Sequence, residues 1–420
     1  MTSQEDWYAA ARAHLWMPYT QMKTAPPPLA VVATRGSRIV LADGRELIDG
    51  VASWWTCAHG YNHPAIAEAV RAQLARMPHV MLGGLVHEQA ARLAARLAAL
   101  LPGDLERVFF SESGSVSVEI ALKIALGFWR NRGEPMRRRF VSFRGGYHGD
   151  TFATMAITDP DLAGPASGLT VEQLIADLPS DDATSARLDA LLAHEGATIA
   201  ALVVEPLVQG AGGMRMHTPA TLRRVRELAD RHGLLLIADE IFTGFGRTGT
   251  LFACEQAGIV PDLMTLSKAL TGGTLPLAAT VARRHVFEAF WSDDPAQALM
   301  HGPTYMANPL ACAVANASLD LFATEPRLAQ VARVADGMRA LEACRELPGV
   351  REVRVLGAIG VVELDRAPEL WPLRMRFVEA GVWVRPFRDV IALTPPLTIS
   401  PEELATLTDA VLAVLGRGFA

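Results

Sequence analysis

A chain of 420 residues has the length for a large core, more than one domain and a sizeable site between domains. Half of the residues are hydrophobic, 20% are charged and the formal net charge is −6, a globular composition with no basic block for nucleic acid. No apolar run approaches bilayer-spanning length, and Met1-Thr-Ser-Gln-Glu-Asp-Trp-Tyr8 is too polar and acidic for a secretory leader. The four cysteines, Cys57, Cys254, Cys312 and Cys344, lie far apart, which reads as reduced core thiols in a cytoplasmic protein and gives no metal site.

Residues 1–63 read as an N-terminal arm and part of a smaller domain. Within them Thr24-Ala-Pro-Pro-Pro28 must be extended, since each proline bars helix for its predecessor. A hairpin follows: Ile39-Val-Leu41, the turn Ala42-Asp43-Gly44-Arg45, then Leu47-Ile48. A larger domain over 64–324 opens with Pro64 at a helix start and apolar spacing through Ile66, Val70 and Leu74. Ala90 to Leu101 is an amphipathic helix. Val108-Phe-Phe110, Phe140–Phe143, Ile199–Val204 and Leu234–Ala238 are strand candidates separated by helical patterns, and such alternation indicates a mostly parallel sheet with helices on its faces. The run Arg137-Arg138-Arg139 reads as solvated surface. From Glu325-Pro326 a long helix and the short strands Val353–Leu356 and Ile359–Val362 suggest a smaller α+β domain over 325–420.

The chemistry collects at strand ends. Leu234–Ala238 runs into Asp239-Glu240, and open α/β sheets present ligands at the carboxyl ends of their strands. Downstream, Thr265-Leu-Ser267-Lys268-Ala-Leu-Thr271-Gly-Gly sets a lone lysine before glycines that let the backbone approach something closely. An acid and a lysine on neighbouring strand ends can hold pyridoxal phosphate, the lysine as Schiff base and the acid on the pyridine nitrogen. Equally, the acid can be a turn or cap residue and the lysine solvated. Ser111-Glu-Ser-Gly114-Ser115 offers a helix N-terminus to a phosphate, or is a plain Ser N-cap. Tyr147, in Gly145-Gly-Tyr147-His-Gly149-Asp150, is placed to stack on a ring or is a loop tyrosine. Glu205 ends another strand and bonds cofactor-side groups or forms a structural ion pair; His301-Gly302-Pro303-Thr304 contributes a hydroxyl to a phosphate or caps a helix. The joint order of these weak signals is the strong observation.

Through Asp239-Glu240-Ile-Phe-Thr-Gly244-Phe-Gly246-Arg247-Thr248-Gly249 and Ser267-Lys268-Ala-Leu-Thr-Gly-Gly273 the chain resembles class III PLP-dependent aminotransferases of fold type I. Within that class it is similar, almost end to end, to members that transaminate 8-amino-7-oxononanoate with S-adenosylmethionine in biotin biosynthesis. The segments carrying that finer likeness include His14-Leu-Trp-Met-Pro-Tyr19, Ser53-Trp54-Trp55-Thr-Cys-Ala-His59 and Gly381-Val-Trp-Val-Arg385-Pro-Phe387. The resemblance implies a seven-stranded, mostly parallel sheet flanked by helices, with a small α+β domain built from both termini. It implies Lys268 as Schiff-base lysine and proton shuttle, Asp239 as pyridinium partner, Gly114 and Ser115 on the phosphate, Tyr147 on the ring and Glu205 among the cofactor-binding residues. Pro303 and Thr304 are expected to reach the phosphate of a neighbouring subunit, so a homodimer is part of the site. Arg385 is expected to bind the substrate carboxylate, with Tyr19, Trp54, Trp55 and Gly302 lining the pocket. Some members have a tyrosine where Ala392 stands and an aromatic where Leu397 stands, so lysine as donor is an alternative. A second is another class III ω-aminotransferase acting on a diamine or ω-amino acid, against which Trp54-Trp55 and Arg385-Pro-Phe387 count.

Overall fold

Seven strands form the central sheet of this computed structural model, which describes residues 4–163 and 173–418. Across the sheet they run Leu105–Ser111, Ala278–Arg283, Leu263–Leu266, Leu235–Asp239, Ile199–Val204, Arg139–Phe143 and Leu174–Ala176. All neighbours pair in parallel except Ala278–Arg283, which is antiparallel to both of its neighbours. Every residue of Leu235–Asp239 is buried. Leu236 and Ala238 enter the apolar cluster on one face and Leu235 and Ile237 the cluster on the other, so the unbroken apolar run is that of a strand covered on both sides. The helix Gly114–Asn131 covers the second face through Val118, Ala121, Leu122 and Ala125.

The strands read from sequence form with edges moved by a few residues, and the hairpin forms as Arg38–Leu41 against Glu46–Asp49. Leu174–Ala176 and Ala278–Arg283 were not read as strands, being short or alanine-rich. Nor was the N-terminal helix Gln4–His14, which is pinned by the Tyr8 hydroxyl donating to the Pro28 carbonyl at 2.6 Å. The helix Pro64–Arg76 packs through Ile66 and Val70, but Leu74 is 54% exposed. The arginine run is not simply solvated. Arg137 lies over the Trp129 ring at 4.1 Å and donates to the carbonyls of Gly196 and Ile199, because burying its stem on the ring leaves the guanidinium edge free for backbone acceptors. All four cysteines are buried and unpaired.

Both ends of the chain build the smaller unit. Glu46–Asp49 pairs in parallel with Val382–Trp383, and Val350–Leu356, Ile359–Leu364 and Val390–Leu393 form a second, antiparallel sheet. Among the described residues no helix is long and apolar enough to cross a membrane.

Candidate active site

The parallel register sets Asp239 opposite Thr265, and Lys268 follows three residues later on the turn that leaves that strand. Lys268 has φ 45°, a left-handed conformation that a side chain adopts only where the surroundings impose it. Its Nζ lies 4.4 Å from the centre of the Trp55 ring and 5.7 Å from that of Phe242. The residue as a whole is half-buried, but its amine is enclosed. Burial pulls its pKa down to about 8, against the charges of Asp239 and Glu205 that favour the ammonium. What the downstream glycines approach is the tryptophan turn: a Cβ on Gly273 would lie 2.7 Å from the Cys57 sulfur.

Asp239 is buried and heavily bonded. Its Oδ2 meets His148 Nδ1 at 2.8 Å, and its Oδ1 accepts from the Thr265 hydroxyl and the Ile241 N–H. Burial alone would lower the pKa of His148, but the bond to Asp239 and the charges of Asp239 and Glu205 outweigh it and hold the imidazole above its ordinary value. Glu205 makes no arginine pair. It accepts the N–H groups of Tyr147 and Gly210, each at 3.0 Å, and burial raises its pKa to about 7. His148 was quoted in sequence beside Tyr147 without a role; nothing in the spacing said that it would face Asp239 across 91 residues.

The N-cap of the helix at Gly114 is Ser113, so Gly114 and Ser115 are its first two residues, where N–H groups have no intrahelical acceptor. The Ser115 hydroxyl accepts from the Asp150 N–H at 3.1 Å. That seats the glycine-rich loop on the helix end so closely that a Cβ on Gly149 would fall 2.3 Å from the Ser115 oxygen. Tyr147 donates to Asp150 Oδ1 at 2.8 Å, and Tyr19 donates to the other oxygen of the same carboxylate. The arm thereby closes over the loop.

Trp54 and Trp55 sit on a turn of unusual hand. Ala52, Ser53, Trp54 and Trp55 have φ of 46°, 45°, 59° and 72°, four consecutive non-glycine residues in left-handed conformation. The fully buried carboxylate of Asp49 fixes the turn, accepting from the N–H of Val51 (2.8 Å), the N–H of Ser53 (2.9 Å) and the Tyr61 hydroxyl (2.6 Å). Asp49→Ala leaves these donors without their acceptor and is expected to lower stability by about 3 kcal/mol in a urea titration and to change tryptophan emission. An unchanged midpoint would remove Asp49 from this role.

Arg385 lies over the Trp54 ring at 4.4 Å, joining the small unit to the same wall. Gly302, Pro303 and Thr304 are not brought to this group: no hydrogen bond or ring contact among the described residues links them to it, and Gly302 and Thr304 are exposed. Ala392 and Leu397 are buried in the core, 3% and 1% exposed. Sequence reasoning also missed Asp150 and Phe242, which meet Tyr19 and Trp55 from distant parts of the chain. It missed Asp49 too, whose partners lie within twelve residues but on a turn of a hand that spacing does not announce.

An enclosed lysine amine beside a buried, histidine-paired carboxylate at parallel strand ends, with a helix N-terminus alongside, is the layout of an aminotransferase. The family described as "Aminotransferase class-III" matches residues 19–415, and the chain belongs to it. It is 48% identical, over 96% of its length and 95% of the relative's, to an adenosylmethionine-8-amino-7-oxononanoate aminotransferase of Mycobacterium leprae. The crystal structure of an enzyme of that name from Methanocaldococcus jannaschii superposes with a TM-score of 0.95 at 29% identity, covering 99% of each chain. An amine transaminase from an uncultivated Pseudomonas species, solved with PLP bound, superposes with a TM-score of 0.90 at 33% identity, over 96% of this chain and 98% of that one.

Proposed function

We propose that this chain is a PLP-dependent transaminase that converts 8-amino-7-oxononanoate to 7,8-diaminononanoate in biotin biosynthesis, with S-adenosylmethionine as amino donor. The observation that carries the chemistry is the Lys268 amine, enclosed against Trp55 and held at a pKa of about 8. The name borne by the Mycobacterium leprae relative supports the substrate pair.

The residues present fit the cofactor. The lysine is the enclosed amine that an aldehyde requires, and the Gly114–Ser115 helix end suits a phosphate dianion. Pyridoxal phosphate, when bound, supplies a carbonyl for amine exchange and a ring that accepts an electron pair. Lys268 Nζ then moves a proton from the carbon that bears the donor amine, and moves one back onto the acceptor carbon in the second half of the ping-pong cycle. Asp239 would hold a proton at the ring nitrogen, and His148 orients that carboxylate. Tyr147 covers the ring; Glu205 fixes the loop that carries Tyr147. Tyr19, Trp54 and Trp55 line the substrate pocket, whose aromatic faces suit a sulfonium, and Gly302 reaches the pocket of a second copy. Arg385 receives the substrate carboxylate. Pro303 and Thr304 complete the phosphate site of a second copy, consistent with their separation from the Lys268 group of their own.

The test is product formation by purified, PLP-loaded protein given 8-amino-7-oxononanoate with either S-adenosylmethionine or lysine. 7,8-Diaminononanoate is expected with S-adenosylmethionine. Product with lysine alone would keep the step and replace the donor; none with either would leave a transaminase of another substrate.

A further inference from the structure

Between the N-terminal arm and the small unit lies a cavity of about 660 Å³ that reaches Ser53, Trp54 and Arg385. Its walls are mostly proline, aliphatic and aromatic side chains, with Thr20, Arg12, Arg374 and Arg385, and among the described residues no carboxylate lines it. Arg374 sits between two indoles, 5.4 Å from the centre of the Trp371 ring and 5.9 Å from that of Trp383. Its Nε is buried without a hydrogen-bond partner, and neither Arg374 nor Arg385 forms an ion pair with any described residue. Other arginines of the interior are treated differently. Arg247 donates to the carbonyls of Ala358 and Pro395, and Arg327 pairs with Glu325 and Gln330.

A guanidinium taken from water without an anion is unfavourable, and two in one cavity are more so. Burial lowers the pKa of both, and for Arg374 the charge of Arg385 adds to it. With indole rings beside it and its Nε unpartnered, the Arg374 guanidinium keeps a free donor surface of the kind that takes a carboxylate. The apolar remainder of the wall suits an aliphatic chain.

Resting on the substrate reading above, we infer that Arg374 is a second carboxylate-binding residue. It acts with Arg385 to hold the far end of a long-chain amino-oxo acid in this cavity, beyond the Trp54 wall. The acceptor is thereby selected for a terminal carboxylate on a flexible apolar chain.

Steady-state kinetics of R374M test this with 8-amino-7-oxononanoate and with its methyl ester. KM for the acid is expected to rise about tenfold with kcat little changed, while KM for the ester stays where it is. R374K should recover part of the difference. An unchanged KM for the acid, or equal losses for acid and ester, overturns the assignment. Tryptophan-emission titration with nonanoate separates this from failure of the substrate reading. A wild-type protein that makes no diamine but binds nonanoate, with binding weakened in R374M, keeps the carboxylate site and discards the substrate. Nonanoate binding equal in both proteins, or absent from both, discards the site.

Discussion

Lys268→Ala is expected to lower turnover by about 10⁴-fold or more, since in the proposed mechanism one amine serves as both carbonyl partner and proton carrier. No other lysine substitutes for it among the residues near Asp239. Among the described residues, the only amine placed against Trp55 and Phe242 is that of Lys268. The same residue predicts a pH dependence. Capture of an aldehyde requires the neutral amine, and the neutral fraction rises as pH rises through a pKa of about 8. The rate at which the apoprotein takes up pyridoxal phosphate should therefore climb between pH 7 and pH 9 and then level off. Steady-state turnover retained in the alanine variant would sink the mechanism. A rate still climbing steeply at pH 9, with no levelling, would mean that burial does not depress this amine.

Asp239→Asn is expected to lower kcat by about 10²–10³-fold, the scale for removing one fixed charge that stabilises developing charge. The amide keeps the size of the side chain and can still accept from Thr265 and Ile241. It cannot present a full charge to a ring nitrogen or to His148. With that charge gone, burial dominates at His148 and its pKa falls, so the imidazole should titrate lower by NMR in the variant than in the parent. Cofactor content measured after alkaline release separates loss of chemistry from loss of binding. A variant with full occupancy and parental kcat would remove Asp239 from its role.

Legibility followed burial. Leu234–Asp239 and Ile199–Glu205 were readable because strands covered on both faces leave unbroken apolar runs, and each run stops at a polar residue where the sheet ends. Lys268 was readable from the small residues and glycines around it. Ala278–Arg283 was not, because alanine carries little strand signal and its place is fixed by antiparallel pairing with a strand more than 160 residues earlier. The same holds for the site. Tyr147 stood out on its glycine loop, whereas Asp49 and His148 owe their environment to partners that sequence spacing does not reveal. Arg374 shows both: Trp371 is its neighbour one helical turn back, whereas Trp383 and Arg385 come to it only through the small unit's own fold.

The left-handed turn at Ala52–Trp55 goes against its own residues. At roughly 1–2 kcal/mol for each left-handed non-glycine residue, the four together oppose this conformation by several kcal/mol. The tryptophan turn is therefore metastable, kept in place by Asp49, Tyr61 and the lysine loop packed behind it. When those contacts breathe, Trp54 and Trp55 are free to relax while the seven-stranded sheet stays closed. Heat has a way to silence this enzyme without unfolding it, and the indoles would be the first to register the change.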